Sequence, residues 1–313
     1  MFQINILEYG NSFNWLYACL LMLVVGTLIG IFQGLLVAYF GIAAFIVTLG
    51  GLLIYRNGAW ALSRGVTQAP LDENFLIIGG GRGGTIGEFW TWVVGIVACL
   101  IVIFYAFYIR RRRISYNFKV RKMWVEIMLL FIWVSIILGF AYMLNSYQRP
   151  KTDGGAGIPI PFLILVAVAA MMTLIANFTK FGRYVYAIGG NPNAARASGI
   201  NVNKILVIVY SLCGFLSGIG ALILAGRADS GYPNAGLQSE LDAIAACIIG
   251  GASFFGGRGT VLGVFAGVMI MGILRNGLNL MDVSSFWQQV LIGSIIVLAV
   301  YIDVLRRELG TRK

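Results

Sequence analysis

Residues 123–145 read MWVEIMLLFIWVSIILGFAYMLN, a stretch whose only charged residue, Glu126, stands near its start. As a helix, such a stretch is long and apolar enough to span about 30 Å of hydrocarbon. Runs of the same kind lie at roughly 15–39, 43–61, 90–109, 159–178, 205–226, 259–278 and 286–304. A shorter apolar piece at 241–254 is either a broken span or a re-entrant segment. None of these runs shows the alternation of a membrane barrel, and backbone exposed to lipid must satisfy its own hydrogen bonds, so all of them read as helices. The expectation is an all-α polytopic transmembrane bundle of about eight or nine membrane segments, one broken or re-entrant near 241–258, in a single domain over residues 1–313.

Composition points the same way. Of the 313 residues 59% are hydrophobic and 11% charged, and the mean hydropathy is +0.86. Soluble domains carry about 45–50% apolar and 25% charged residues, so the solvent for this surface is lipid. Histidine is absent, which removes Ser-His and Cys-His catalysis, histidine metal ligands and histidine proton relays. The cysteines Cys19, Cys99, Cys213 and Cys247 are scattered singly and fit neither a zinc site nor a disulfide framework. No GxxxxGK[ST] loop is present to hold ATP. No catalytic residue, metal ligand or cofactor is expected.

The net charge of +11 is distributed as a topology signal. Arg110, Arg111, Arg112, Arg113, Lys119, Arg121 and Lys122 crowd one short loop, and Lys180, Arg183, Arg196 and Lys204 lie in another. Arg306, Arg307, Arg312 and Lys313 close the tail. All three groups belong on the cytoplasmic side, and the loops at 62–89, 146–158 and 228–240 then face outward. This accounts for the arginines without a nucleic-acid partner. Alternation puts the N-terminus outside, although no cleavable signal is apparent before Arg56, the first basic residue.

Glycines recur at helical spacing: Gly26, Gly30 and Gly34 share one face, as do Gly259, Gly263 and Gly267, with Gly214 and Gly218 as a shorter version. Small residues at this spacing let helix backbones approach closely in lipid. Packing within one bundle is one use of these faces, and a homodimer interface is the other.

The most informative segment lies between spans, at 181–204: FGRYVYAIGGNPNAARASGINVNK. It carries the signals for one very short helix. Asn191 suits the N-cap, Pro192 the first helical position, and Gly199 a left-handed residue that ends it. A helix of under two turns is not stable alone in water and must dock. Its docking partner is either its own bundle or a groove on another protein, which Ala194, Ala195 and Ala197 would fit.

At this segment the chain resembles a known family. The run FGRYVYAIGGNPNAARASGINV at 181–202 is similar to the cytoplasmic coupling loop of the ribose, galactose and xylose permease family of ATP-binding-cassette importers. The stretch from Glu240 to Asp303, beginning ELDAIAACIIGGASFFGGRG, resembles the same family, as does FGIAAFIVTLGGLLIYRNG at 40–58. NLMDVSSFWQ at 279–288 and the arginine-rich loop most resemble its D-xylose permeases.

The resemblance implies a transmembrane permease domain in a bacterial inner (plasma) membrane. It would work as a homodimer on cytoplasmic ATPase subunits and be fed by a periplasmic or lipid-anchored sugar-binding protein. Residues 179–204 would form the coupling loop, with Gly189, Gly190, Asn191, Ala194, Ala195, Ser198 and Gly199 matching the coupling motif. The family carries further upstream helices with a motif resembling Gly-Ile-Asp-Leu-Ser-Val-Gly, and nothing like it occurs here. The chain therefore reads as truncated, misassigned at its start, or one half of a split gene.

Candidate residues for the sugar path are few. Asp242 sits ahead of the short apolar piece, where it either caps a helix or touches sugar hydroxyls. Asn276, Asn279, Trp287 and Gln288 offer hydrogen-bonding and stacking groups, although aromatic residues at span ends also serve as interfacial anchors. The glycine-rich 250–259 lacks a phosphate-loop lysine and reads as a break between a short helix and the next long one. A secondary sugar transporter or other polytopic carrier is the rival reading, but it would need mid-span acids, which are scarce.

Overall fold

The computed structural model describes residues 14–81, 83–116, 122–146, 148–149, 152–254 and 256–311. In chain order the elements are α1 (Asn14–Ala38), α2 (Ala44–Ser63), α3 (Glu73–Gly79), α4 (Gly87–Ser115), α5 (Met123–Asn145), β1 (Gln148–Arg149) and β2 (Thr152–Gly155). They continue with α6 (Ile160–Phe178), α7 (Lys180–Gly190), α8 (Pro192–Ala197), α9 (Val202–Ala228), α10 (Ser239–Ile249), α11 (Val261–Leu280) and α12 (Ser285–Thr311). Among the described residues eight helices are long and apolar enough to cross a membrane: α1, α2, α4, α5, α6, α9, α11 and α12. They coincide with the eight long runs read from the sequence. Their apolar side chains point outward as well as inward. Phe131, 72% exposed, would be a liability in water and is ordinary against lipid.

The helical bundle expected from the sequence is therefore present, with one small addition. The loop after α5 forms a two-stranded antiparallel ribbon, β1 paired with β2. The loop at 62–89 also contains a helix, α3, which is too short for periodicity to reveal. Asp72 caps it by accepting a hydrogen bond from the Asn74 amide at 2.8 Å.

The chain divides into two compact units, one formed by the chain up to Leu71 and from Leu165 onward, the other by Asp72–Ile164. In the second unit Thr91 is fully buried. Its Oγ1 donates to the Gly87 carbonyl at 2.8 Å and accepts from the Ile158 amide at 2.9 Å, which pins the start of α4 to the strand-like segment before α6. Arg110 and Glu126 form an ion pair between α4 and α5.

In the first unit the dominant contact is α1 against α9, and it is made by glycine. A Cβ on Gly26 would lie 2.6 Å from the Gly214 carbonyl oxygen, and one on Gly218 would lie 3.3 Å from the Leu23 Cα. The second glycine face is used in the same way: a Cβ on Gly250 would lie 2.7 Å from the Val264 Cα, and one on Gly267 2.9 Å from the Gly250 amide nitrogen. Leucine against leucine gains little in lipid, whereas close backbone approach gains van der Waals contact. Both faces are filled by the chain's own helices. Beside them Ala245, Ala246, Met271 and Ile292 form a buried cluster joining α10, α11 and α12.

Candidate functional site

The segment over residues 179–204 begins where α6 ends. Thr179 caps α7, its hydroxyl accepting from the Gly182 amide at 3.2 Å. Asn191 then closes α7 and opens α8. Its Oδ1 accepts from the amides of Asn193 at 3.0 Å and Ala194 at 3.1 Å, so two of the donors that a helix start leaves without partners are satisfied. Pro192 occupies the first turn, where no donor is lost.

The other end is closed as firmly. Gly199 has φ +81° and donates to the Arg196 carbonyl at 3.0 Å, while Ile200 donates to the Ala195 carbonyl at 3.1 Å. That pair of bonds is a Schellman ending, which needs a left-handed residue and hence glycine. Ser198 turns its hydroxyl back to the Ala194 carbonyl at 3.0 Å.

The three alanines divide. Ala195 is buried with Ile188 and Val202, and Ile200, Ile205 and Leu206 pack around them. Ala194 and Ala197 are exposed, as are Asn191 and Ser198. One side of α8 is thus anchored to its own chain and the rest is presented outward.

Gly189 and Gly190 have a different task. The backbone of α7 at these residues lies directly on the glycine-rich loop after α10: a Cβ on Gly257 would sit 2.8 Å from the Gly190 nitrogen, and one on Gly256 would sit 3.1 Å from the Gly189 Cα. A Cβ on Gly189 would clash with the Gly257 backbone. Alongside, the Tyr186 hydroxyl donates to the Gly259 carbonyl at 2.9 Å. From the far side Asp303 of α12 accepts from the Ser253 hydroxyl at 2.9 Å and the Phe254 amide at 3.1 Å.

α10, whose C-terminus leads into this loop, has 11 residues, about 16 Å at 1.5 Å per residue and so roughly half the hydrocarbon thickness. Ahead of its other end, Gln68 and Gly231 exchange two backbone bonds of 2.9 Å, and the Asp229 carboxylate accepts from the Leu71 amide at 2.9 Å. The segment between α9 and α10 is thus tied to the loop after α2, and the loop after α10 lies on α7.

The structure separates the candidate path residues. Asp242 lies in the first turn of α10 but caps nothing; its Oδ2 is 2.7 Å from Arg275 Nη2 on α11. The capping role weighed for Asp242 gives way to an ion pair, because the turn of α11 carrying Arg275 packs beside it. Its Oδ1 is buried without a hydrogen-bond partner among the described residues. Asn279 and Gln288 are joined, the Gln288 amide donating to Asn279 Oδ1 and to the Val283 carbonyl, both at 2.8 Å. These two close the turn between α11 and α12. Asn276 and Trp287 are exposed.

A family model described as the branched-chain amino acid transport system permease component matches residues 4–300. This chain belongs to that permease family. It is 39% identical over 279 residues to the xylose transport system permease protein of Haemophilus influenzae, covering 89% of this chain and 72% of that protein. The xylose transport system permease protein of Escherichia coli is 36% identical over 281 residues, 90% of this chain and 69% of its own. The ribose import permease protein of Escherichia coli is 48% identical over 147 residues, 47% and 46% of the two chains. No solved structure matches.

With eight apolar helices among its described residues, this permease is a multi-pass inner-membrane protein. Sequence reasoning passed over several residues that hold this region together. Tyr186 and Asp303 each act on a residue distant in the chain, and no local pattern marks them. Thr179 could have been found, since a threonine at the end of an apolar run is a standard cap. A cavity of about 490 Å³ lies between α1 and α9, beside Gly26, Gly30, Gly214 and Gly218. Its lining is almost wholly apolar, with Gln33, Thr48, Tyr210 and Ser217 as its polar-bearing residues, and none of the candidate path residues borders it.

Proposed function

We propose that this permease is the translocation subunit of an ATP-driven importer that brings a monosaccharide, D-xylose before ribose or galactose, into the cell. A separate cytoplasmic ATPase supplies the energy, and an external binding protein delivers the sugar to a pair of permease chains. The chain itself makes and breaks no bonds. Its work is to change which side of the membrane the path faces.

The single observation that carries this reading is the state of α8. A helix of 6 residues, capped at both ends by its own side chains and turn geometry, is fastened by Ala195 while Asn191, Ala194 and Ser198 are left exposed. That is the construction of a docking element with a rigid seat. Gly189, Gly190 and Gly199 belong to the seat and the turn, so residues 179–204 serve as one coupling segment. The relatives named for xylose and ribose transport support a sugar over an amino acid, even though the family description names the latter. Asp242, Asn276, Asn279, Trp287 and Gln288 are assigned to the path and its supports, with Asp242 nearest a free acceptor for a sugar hydroxyl.

The test is sugar-stimulated ATP hydrolysis in proteoliposomes holding the permease with its ATPase and binding protein. Xylose-stimulated turnover that exceeds the response to amino acids supports the reading. No stimulation by pentoses or hexoses would return the chain to the secondary-carrier class.

A further inference from the structure

We infer that the glycine-rich loop of residues 250–254 and 256–260 is the linkage through which the coupling segment moves the half-length helix α10, and that Tyr186 and Asp303 are positioning residues for transport. The inference rests on the importer reading above.

The geometry makes this loop the stiff part of the cytoplasmic corner. α7 touches it backbone to backbone at Gly189 and Gly190, with no side chains between to absorb a displacement. Gly256 and Gly257 have φ +87° and +75°, so the chain there adopts a shape that L side chains rarely take and that brings the two backbones together. The loop also closes on itself, the Ser253 amide donating to the Arg258 carbonyl at 3.0 Å. Tyr186 holds one side of it through Gly259, and Asp303 holds the other through Ser253 and Phe254.

Beyond the loop the connection continues into the membrane. Ile249 ends α10 and Val261 begins α11, and these helices pack at Gly250, Gly263 and Gly267 with their backbones in contact. The Asp242–Arg275 pair ties the same two helices further along. A push on α7 therefore reaches α10 and α11 together, because closely packed backbones move as units and do not deform gradually. By contrast, α8 has only Ala195 seated in the core, which suits the end that receives the force.

The experiment measures sugar transported per ATP hydrolysed by the complete transporter in proteoliposomes, for wild type, Tyr186→Phe, Asp303→Asn and Gly257→Ala. Tyr142→Phe, an exposed tyrosine on α5, is the control. Tyr186→Phe and Asp303→Asn are expected to lower the ratio at least five-fold while the ATPase still co-purifies in the wild-type proportion and thermal stability is unchanged. Gly257→Ala is expected to lower it further, and Tyr142→Phe to leave it alone. Should Gly257→Ala fail to assemble, the two milder variants decide the matter. Ratios within two-fold of wild type in both would overturn the linkage and leave the importer reading intact. A wild-type transporter showing no sugar-stimulated hydrolysis would overturn both.

Discussion

Asp242 on α10 and Arg275 on α11 form an ion pair with Oδ2 and Nη2 2.7 Å apart, in a chain whose candidate membrane spans hold few charges. The Arg275 side chain is 44% exposed and that of Asp242 24%, so the pair is half-sheltered and its net worth is modest. Breaking it from one side is the costlier event, because the remaining charge keeps its desolvation penalty without its partner.

Asp242→Asn and Arg275→Gln alone should each lower the unfolding temperature of the purified permease, and the double variant should lose less than the sum. A coupling of about 1 kcal/mol is expected for a pair of this exposure. Thermal unfolding of the four proteins in one detergent reads it directly. Additive losses would mean that the two residues act separately.

Asn191 holds α8 by two hydrogen bonds from one oxygen. Asn191→Ala should cost that helix about 1 kcal/mol, and the loss should be local, since only Ala195 ties α8 into a buried cluster. Hydrogen exchange is the appropriate measurement: amides of residues 193–198 should exchange several-fold faster while those of α9 keep their protection. Asn191→Asp, which retains the acceptor, should behave nearly as wild type.

The crossing of α1 and α9 leaves no room for a methyl group at Gly26, whose Cβ would sit 2.6 Å from the Gly214 carbonyl oxygen. On the same α9, Gly220 has no atom within 4 Å of a built Cβ. Gly26→Ala should therefore destabilise by about 1–3 kcal/mol through overpacking. Gly220→Ala should be neutral, or stabilising by up to about 1 kcal/mol from helix propensity. Thermal melts that rank the two variants in the opposite order would contradict the packing described.

Local signals made part of this design legible from residues alone. Asn191, Pro192 and Gly199 announce α8 because caps and left-handed turns are decided within four or five residues, and the long spans announce themselves by length and apolarity. The partners of those elements were not legible. Small spacing at Gly26 and Gly30 says that a backbone can come close, but not that Gly214 supplies it. Asp242 was weighed as a cap because its ion-pair partner is on another helix. α7 was passed over because Gly182, Gly189 and Gly190 lower its propensity; Gly182 and Gly189 sit where neighbouring backbone leaves no space for a side chain, whereas the Cβ position of Gly190 is open.

The choice between a broken span and a re-entrant segment for the short apolar piece is also open to measurement. Gly231 is tied to Gln68, in the loop that follows α2, while the loop after α10 lies on Gly189 and Gly190 beside Lys180 and Arg183. If basic residues keep the second region in the cytoplasm and α2, which precedes the first, runs away from that side, the two regions lie on opposite faces of the membrane. An α10 of 11 residues can then cross only if the chain before it, residues 229–238, covers the remaining depth. This is allowed where irregular backbone is shielded by protein from lipid. In a variant whose four native cysteines are replaced, Asn234→Cys should react with a membrane-impermeant maleimide added to whole cells. Arg258→Cys should react only after the membrane is opened. Labelling of both from outside, or of neither, would mean that the segment turns back within the bilayer and that α11 begins on the side where α9 ends.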